Sequence, residues 1–266
     1  GYACLSWDKP GVGQSSGDWH HQTMTDRAEE VLAAVTYLKT RQEIDENRLG
    51  LIGFSQGGWV LALAASMSRD IRFIIPVSGA VDWVSQEKLV LKNMLEDQAL
   101  SKEEIETALC FRDQTNGLLR QKASYDRYLD LIRTRAPQSF SGPVTRADWH
   151  FFKLNVHTCV TQSLPLVKCP VLALFGGNDA YVDVQKSMEV YESELRAAGN
   201  TDVTIRLFPR ADHSMLQSRT KHFVHKGLPM VINVLKWELL GKDAFPPDYF
   251  STITDWLDSP GRIRDL

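Results

Sequence analysis

A Gly-x-Ser-x-Gly motif at residues 53–57 is the feature of this sequence with the clearest chemical meaning. Residues 49–52 before it have the apolar composition of a β-strand, and residues 60–65 after it read as a buried helix. A sharp strand–turn–helix connection holds its serine at a strained backbone position and exposes the hydroxyl as a nucleophile. We therefore predict that Ser55 is a nucleophile. The Gln56 N–H, at the start of the helix, is predicted to stabilise a negatively charged oxygen in an oxyanion hole.

The two glycines of the motif, Gly53 and Gly57, are expected where strand and helix come close, because a residue without a Cβ atom fits there. The five-residue pattern alone is common, and an ordinary Gly-rich turn is the alternative interpretation. The strand before the motif and the helix after it favour the nucleophile elbow.

A serine nucleophile needs a base and an acid, and candidates for both follow later strands. Asp179 comes after the apolar run 171–175, and His213 comes after the run 203–208. If these runs are parallel strands, Ser55, Asp179 and His213 all project from the same edge of one sheet, as a catalytic triad requires. An aspartate in a turn can also serve the turn alone, and Asp183 and Asp212 are nearby competitors for the acid.

The elements that must position these residues alternate between strand and helix patterns. Strands are predicted at Ala3–Trp7, Arg48–Ile52 and Phe73–Val77, and a helix is predicted from Thr23 with Asp26 as its capping partner. Strands joined by helices pair in parallel through right-handed crossovers. The fold class is therefore α/β, with a doubly wound, mostly parallel sheet.

This alternation stops between about residues 81 and 167. The segment is polar, charged and helical in pattern, and Ser101 to Glu104 form a capping-box sequence. We predict a helical cap at residues 81–167 inserted between core segments 1–80 and 168–266, because a doubly wound sheet binds ligands at that edge. Most of the aromatic residues of the cap are expected to form its own small core.

Composition excludes several classes of function. The 266 residues are 43% hydrophobic and 24% charged, with a net charge of −3. No apolar run is long enough to span a membrane, and no basic stripe points to nucleic acid, so a small-molecule or peptide substrate is expected. No His-Glu-x-x-His motif or Cys/His cluster is present, so we predict no metal and no cofactor. The four cysteines are expected to be free thiols, with a Cys159–Cys169 disulfide as the alternative.

These motifs together resemble those of serine hydrolases of the α/β-hydrolase superfamily, and in particular bacterial esterases related to dienelactone hydrolases and prolyl-oligopeptidase-type domains. Residues 8–19 are similar to that group's Asp-Lys/Arg-x-Gly-x-Gly-x-Ser-x-Gly loop, 53–58 to its elbow, 176–179 to its acid turn and 211–213 to its histidine turn. The resemblance implies Ser55 as nucleophile, His213 as general base and then acid, and Asp179 as the orienting acid, ahead of Asp183 and Asp212. A serine in the elbow implies acyl transfer to water.

The sequence departs from this family at its beginning. The resemblance makes Ala3–Trp7 the fourth of eight strands, so the first three strands and the loop that supplies a second oxyanion donor have no counterpart here. Because the family places its third strand between the fourth and the fifth, a slot is expected between Ala3–Trp7 and Arg48–Ile52. The two strands pair directly, a second chain fills the slot, or the chain is a fragment, and we expect the third. The 266-residue chain alone is then expected to be a poor catalyst.

The predicted function is hydrolysis of carboxylic esters through an acyl-enzyme. A peptidase or a thioesterase of the same fold is the alternative within the enzyme class, since the same triad cleaves amides and thioesters. A non-catalytic binding protein with this fold is the alternative from another class. No signal peptide is visible, which slightly favours the cytoplasm, with a secretory signal before Gly1 as the alternative, so the compartment stays open. The oligomeric state stays open as well.

Overall fold

The computed structural model of the chain describes residues 1–140, 144–221 and 228–259. It divides into two compact units, which we call the sheet unit (Ala28–Val81 with Cys159–Leu266) and the helical unit (Gly1–Arg27 with Asp82–Thr158). The three-part division into core, cap and core stays a prediction. No helix in the described part of the chain is both long and apolar enough to cross a membrane.

The sheet unit is built on four parallel strands in the order β1-β2-β3-β4. They are β1 (Gly50–Phe54), β2 (Phe73–Val77), β3 (Val171–Gly176) and β4 (Val203–Phe208). Every residue of β2 and β3 is buried, as expected for central strands of a parallel sheet that is covered on both faces. The structure thus confirms the predicted α/β class and the parallel pairing.

The helices of the chain follow in the same order. Those before the sheet's second half are α1 (Met24–Lys39), α2 (Gly57–Met67), α3 (Trp83–Asp97), α4 (Lys102–Arg120), α5 (Tyr125–Arg135) and α6 (Arg146–Asn155). Those after it are α7 (Val184–Ala197), α8 (Leu228–Leu240) and α9 (Tyr249–Asp258). Helix α2 connects β1 to β2 and α7 connects β3 to β4, so each parallel pair has a helical crossover.

The largest described core cluster of the sheet unit lies where β2, β3 and the end of β4 meet α9 and the segment before it. Aromatic rings carry much of this cluster: Phe245 stacks on Tyr249, and the Phe73 ring meets Trp256 edge to face. This packing fixes β2 to β4 relative to one another, and with them the loops that follow their carboxyl ends.

The predicted strand Ala3–Trp7 is wrong. Residues 1–8 form no regular secondary structure, and the side chains of Tyr2, Leu5 and Trp7 are exposed. A strand exists only when a neighbour bonds its N–H and C=O groups, and none of the four strands of the described sheet pairs with this segment. Direct pairing with the elbow strand, one of the three outcomes expected for the slot, does not occur.

The elbow strand itself is displaced by two residues from its predicted position. Glu46–Arg48 forms a 3-10 turn, with Asp45 at its start accepting a hydrogen bond from the Asn47 N–H, so β1 begins at Gly50 rather than at Arg48. Among the described strands β1 pairs with β2 alone, which leaves Ile52 and Phe54 about half exposed, at 50% and 47%. The strand that carries the nucleophile motif is therefore an edge strand of the described sheet.

The helical unit contains α3 to α6, each begun by a side chain that accepts a hydrogen bond from the first turn. Ser101 and Glu104 form the predicted capping box of α4, and Thr145 and Asp148 form another at α6. The rings of Tyr128 and Trp149 stack at 4.2 Å inside the unit. These contacts agree with an aromatic core belonging to the helical segment itself.

Candidate active site

The turn after β1 carries Ser55, the predicted nucleophile, between the strand and helix α2. Ser55 has a φ of 54°, a left-handed conformation that costs a non-glycine residue about 1–2 kcal/mol. Its N–H donates to the Val77 carbonyl at 2.9 Å, which anchors the turn to β2. Gln56 is the N-cap of α2, so its backbone N–H belongs to the helix end that carries partial positive charge. Ser55 itself is partly exposed.

Gly53 and Gly57 lie where strand and helix come close, as expected, but the helix position at which a Cβ atom would not fit is Gly58. A Cβ atom on Gly53 would lie 3.2 Å from the Gly57 Cα, whereas one on Gly57 would meet no atom within 4 Å. A Cβ atom on Gly58 would lie 2.9 Å from both the Gly79 Cα and the Tyr191 hydroxyl. The absence of a Cβ atom is therefore not required at Gly57 but is required at Gly58, where α2 approaches Gly79 and Tyr191.

The turn after β3 holds Asp179 almost fully buried and uses both of its carboxylate oxygens. Oδ1 accepts hydrogen bonds from the N–H groups of Tyr181 (2.7 Å) and Val182 (3.0 Å). Oδ2 lies 2.7 Å from Nδ1 of His213. Since an ionised carboxylate can only accept, Nδ1 donates this bond, and the neutral imidazole then has its basic lone pair on Nε2.

Gly176 and Gly177 explain how the turns after β3 and β4 come close enough for this bond. A Cβ atom on Gly176 would collide with the carbonyl oxygens of Ala211 and Asp212, and one on Gly177 would lie 2.7 Å from the Pro209 carbonyl oxygen. Two glycines before Asn178 and Asp179 therefore allow the acid turn to pack directly against the histidine turn.

The two competing aspartates are engaged in other contacts. Asp183 is exposed and caps α7 by accepting a hydrogen bond from the Lys186 N–H at 3.1 Å. Asp212 is fully buried, and its carboxylate accepts hydrogen bonds from the Ser214 and Leu216 N–H groups. Of the three candidate acids, Asp179 is the one hydrogen-bonded to the imidazole of His213.

Sequence reasoning missed two residues around this pair. The Tyr181 ring lies against the His213 ring, with centroids 4.8 Å apart. Tyr181 follows Asp179 by two residues, and this closeness in sequence is the signal that could have predicted its place near the pair. Asn233, on α8, donates a hydrogen bond to Asp212 at 2.9 Å, and a separation of 21 residues gives no local signal for that contact.

The predictions of no metal site and of free cysteines concern the His, Cys, Asp and Glu side chains. Among those described, no group of three or more His, Cys, Asp or Glu side chains is arranged to hold a metal ion. All four cysteines are free, so the Cys159–Cys169 disulfide is not formed.

A family model described as "Serine aminopeptidase, S33" (Hydrolase_4) matches residues 1–219. Among curated proteins, the human mitochondrial palmitoyl-protein thioesterase ABHD10 is 28% identical over 216 residues, which cover 81% of this chain and 58% of the human protein. The bovine protein of the same name is 27% identical over the same share of each chain. The chain thus spans somewhat more than half the length of these relatives.

Two solved structures share the fold. An esterase from Pyrococcus furiosus superposes with a TM-score of 0.50 at 16% identity, covering 92% of this chain and 66% of the esterase. The α/β hydrolase GrgF from Penicillium sp. sh18 superposes with a TM-score of 0.53 at 14% identity, covering 94% and 77%. Identities this low show a common fold alone.

Proposed function

Because the chain belongs to the Hydrolase_4 (serine aminopeptidase, S33) family and has the α/β-hydrolase fold, we propose that it is a serine hydrolase that cleaves carboxylic esters. The observation that carries the proposal is the buried hydrogen bond between His213 Nδ1 and Asp179 Oδ2, on turns at the same sheet edge as Ser55. A buried imidazole–carboxylate pair at the same sheet edge as a serine in a strained turn fits the arrangement that activates a hydroxyl for attack.

In the proposed mechanism, Ser55 Oγ attacks the ester carbonyl carbon while His213 Nε2 takes the hydroxyl proton. Asp179 holds the imidazole in the correct tautomer and stabilises its protonated form. The C–O bond to the alcohol then breaks, the proton on Nε2 passes to the departing oxygen, and an acyl-enzyme remains. Water, deprotonated by the same nitrogen, then attacks the acyl carbon. The bond between that carbon and Ser55 Oγ breaks, the proton on Nε2 returns to Oγ, and the carboxylic acid leaves.

The negative charge of the tetrahedral intermediate needs donors in place before reaction. The Gln56 N–H, at the start of α2, is the proposed donor, and the dipole of this helix adds favourable potential. Because the donor is a backbone group at a helix end, substitution of the Gln56 side chain is expected to affect it little.

A thioesterase is the second candidate, favoured by the similarity to a palmitoyl-protein thioesterase. The triad chemistry is the same for a thioester, with a thiol as the leaving group in place of an alcohol. A peptidase has the name of the family model in its favour. The three activities differ in the leaving atom, so substrates with one shared acyl group separate them.

The test is a matched set of butyryl substrates: the p-nitrophenyl ester, the N-acetylcysteamine thioester and the p-nitroanilide. We expect the ester to have the highest kcat/KM. Ser55→Ala should lower it by at least about 10³-fold. Ser66→Ala, on the same helix α2 with its hydroxyl bonded to the Leu63 carbonyl, is the matched control and should keep the wild-type rate.

A Ser55→Ala variant that hydrolyses the ester as fast as the wild type contradicts the proposal. Faster cleavage of the thioester than of the ester would indicate a thioesterase, and faster cleavage of the anilide would indicate a peptidase.

A further inference from the structure

A second buried carboxylate, Asp212, immediately precedes His213 and is not used in the mechanism above. It is fully buried. Oδ1 accepts hydrogen bonds from the N–H groups of Ser214 at 2.9 Å and Leu216 at 3.0 Å. Oδ2 accepts one from the side-chain amide of Asn233 at 2.9 Å. Three donors therefore converge on one carboxylate next to the proposed base.

The backbone of the histidine turn closes around this carboxylate. The Asp212 N–H donates to the Leu216 carbonyl at 2.9 Å, and the Met215 N–H donates to the Asp212 carbonyl at 3.0 Å. Met215 has a φ of 62°, an uncommon conformation for a side chain of this size. His213 thus lies in a tight turn, and the Asp212 carboxylate accepts the hydrogen bonds of two N–H groups within that turn.

Helix α8 ties into the same turn at two places. The Asn233 side chain donates to the Asp212 carboxylate. Lys236, three residues further along the helix, donates to the Gln217 carbonyl at 2.9 Å. Ala211 and Gln217 form an antiparallel bridge that closes the base of the loop. The position of His213 therefore depends on contacts from an element 20 residues further along the chain.

We propose that Asp212 and Asn233 are positioning residues that hold the His213 imidazole within hydrogen-bonding distance of Asp179; for catalysis this inference rests on the proposed function. A proton-transfer group must be kept within about 0.5 Å of its productive place, which needs a second layer of hydrogen bonds behind it. Asp212 acts through the backbone turn, from whose Ser214 and Leu216 N–H groups it accepts hydrogen bonds, while the imidazole Nδ1 is bonded to Asp179.

Two substitutions of Asp212 test whether its role is to accept the hydrogen bonds that position His213 or to supply a negative charge. Asp212→Ala leaves the Ser214 and Leu216 N–H groups without their acceptor, so the turn should loosen and kcat should fall by about 10²-fold. Asp212→Asn keeps an oxygen for both N–H groups, and its new amide faces Asn233. The Asn233 side-chain oxygen has no partner among the residues that the structure describes, so it can accept a hydrogen bond once the Asn233 amide group rotates by half a turn. We expect Asp212→Asn to restore most of the lost kcat.

Asn233→Leu tests the link to α8 with a side chain of similar size. It removes the donor to Oδ2 and leaves the two backbone hydrogen bonds to Oδ1 in place. We expect a smaller loss of kcat, about tenfold. This variant and Asp212→Asn decide the proposal if Asp212→Ala fails to fold.

Asn200→Ala is the matched structural control. Asn200 is buried, and its amide donates to the Val167 and Cys169 carbonyls and accepts from the Asp202 N–H. Those partners precede β3 and β4, at the opposite sheet edge from His213, so the variant loses three comparable hydrogen bonds without touching the histidine turn. It should lower Tm but leave kcat unchanged.

The experiment measures kcat for p-nitrophenyl butyrate, Tm, and the downfield NMR resonance of the His213 Nδ1 proton, all on the 266-residue chain. We expect Asp212→Ala to lose the resonance and Asp212→Asn and Asn200→Ala to keep it. The proposal is overturned if Asp212→Ala keeps both resonance and kcat, or if Asp212→Asn is as impaired as Asp212→Ala. A wild-type chain that shows the resonance but no hydrolysis contradicts the proposed function alone, and the resonances of the variants then still decide the positioning role.

Discussion

The Asp179 carboxylate performs a separate task with each of its oxygens. Oδ1 closes its own turn by accepting two backbone hydrogen bonds, and Oδ2 holds the His213 imidazole. Asp179 therefore serves its own turn, as the alternative interpretation expected, and also contacts the imidazole, while its catalytic role stays a prediction. Because the turn fixes the carboxylate, the imidazole meets an acceptor that is already in place.

The first prediction at this scale concerns Asp179→Asn. An asparagine has one acceptor oxygen, which cannot serve both the turn and the Nδ1 proton, so the wrong tautomer of His213 is favoured. We expect kcat for p-nitrophenyl butyrate to fall by about 10⁴-fold. Asp183→Asn is the control, because asparagine caps a helix as well as aspartate does, and its kcat should not change. Equal rates in the two variants would contradict the assignment of Asp179.

The second prediction concerns thiol reactivity. Burial raises the pKa of the Cys169 thiol to about 12, whereas Cys4 and Cys110 are exposed. The reactive species is the thiolate, and a pKa of 12 leaves a fraction of about 10⁻⁴ ionised at pH 8.

Native chain treated with iodoacetamide at pH 8 should therefore be alkylated at Cys4 and Cys110 and spared at Cys169, as read by peptide mass spectrometry. The rate at Cys169 should rise about tenfold per pH unit between pH 8 and pH 10. If Cys169 were alkylated as fast as Cys110 at pH 8, the prediction that burial suppresses its reactivity would be wrong.

Contacts between elements were the hardest feature to predict from sequence. The bounds of β2 and β4, the start of α1 and the capping box of α4 follow from local pattern and agree with the structure. Local pattern does not identify the glycine that lets α2 approach its neighbours. That position depends on where α2 crosses the end of β2 and α7. Tyr191 of α7 lies at this crossing, with its hydroxyl close to Gly58 and Gly79.

Tyr191→Phe is the prediction at this scale. The Tyr191 hydroxyl is fully buried and has no hydrogen-bond partner within the described parts of the chain. Burying such a hydroxyl is unfavourable, so its removal should raise the free energy of unfolding by about 1 kcal/mol.

Tyr128→Phe is the control of opposite sign, because the Tyr128 hydroxyl accepts a hydrogen bond from the Val144 N–H. This variant should lower the free energy of unfolding by about 1 kcal/mol. Urea denaturation followed by tryptophan fluorescence measures both. Destabilisation of similar size in the two tyrosine variants would show that the Tyr191 hydroxyl is satisfied.

At the scale of the whole molecule, sheet topology accounts for the candidate site. Ser55 and His213, with Asp179 between them in sequence, are more than 150 residues apart along the chain, yet each of the three follows the carboxyl end of a strand in one parallel sheet. Strands are spaced by about 4.8 Å, so β1 and β4 lie about 14 Å apart. The turns after β3 and β4 must therefore extend back toward β1, which is consistent with Asp179 lying three residues and His213 five residues beyond their strands.

The sequence predicted that Ser55, Asp179 and His213 follow strands of one parallel sheet, because strand patterns and turn residues are local signals. It failed at Ala3–Trp7, where an apolar pattern is necessary for a strand but a hydrogen-bonding neighbour decides whether one forms. It also could not indicate Asn233, whose contact with Asp212 exists only once α8 is packed against the histidine turn.

Covalent labelling by a fluorophosphonate tests the central claim most directly, since the reagent reacts with a serine that an adjacent base has activated. Mass spectrometry of the labelled 266-residue chain should find one adduct, on the peptide that contains Ser55, and Asp179→Asn should slow its formation. An adduct on another serine, or labelling of Ser55→Ala at the wild-type rate, would contradict the proposed active site.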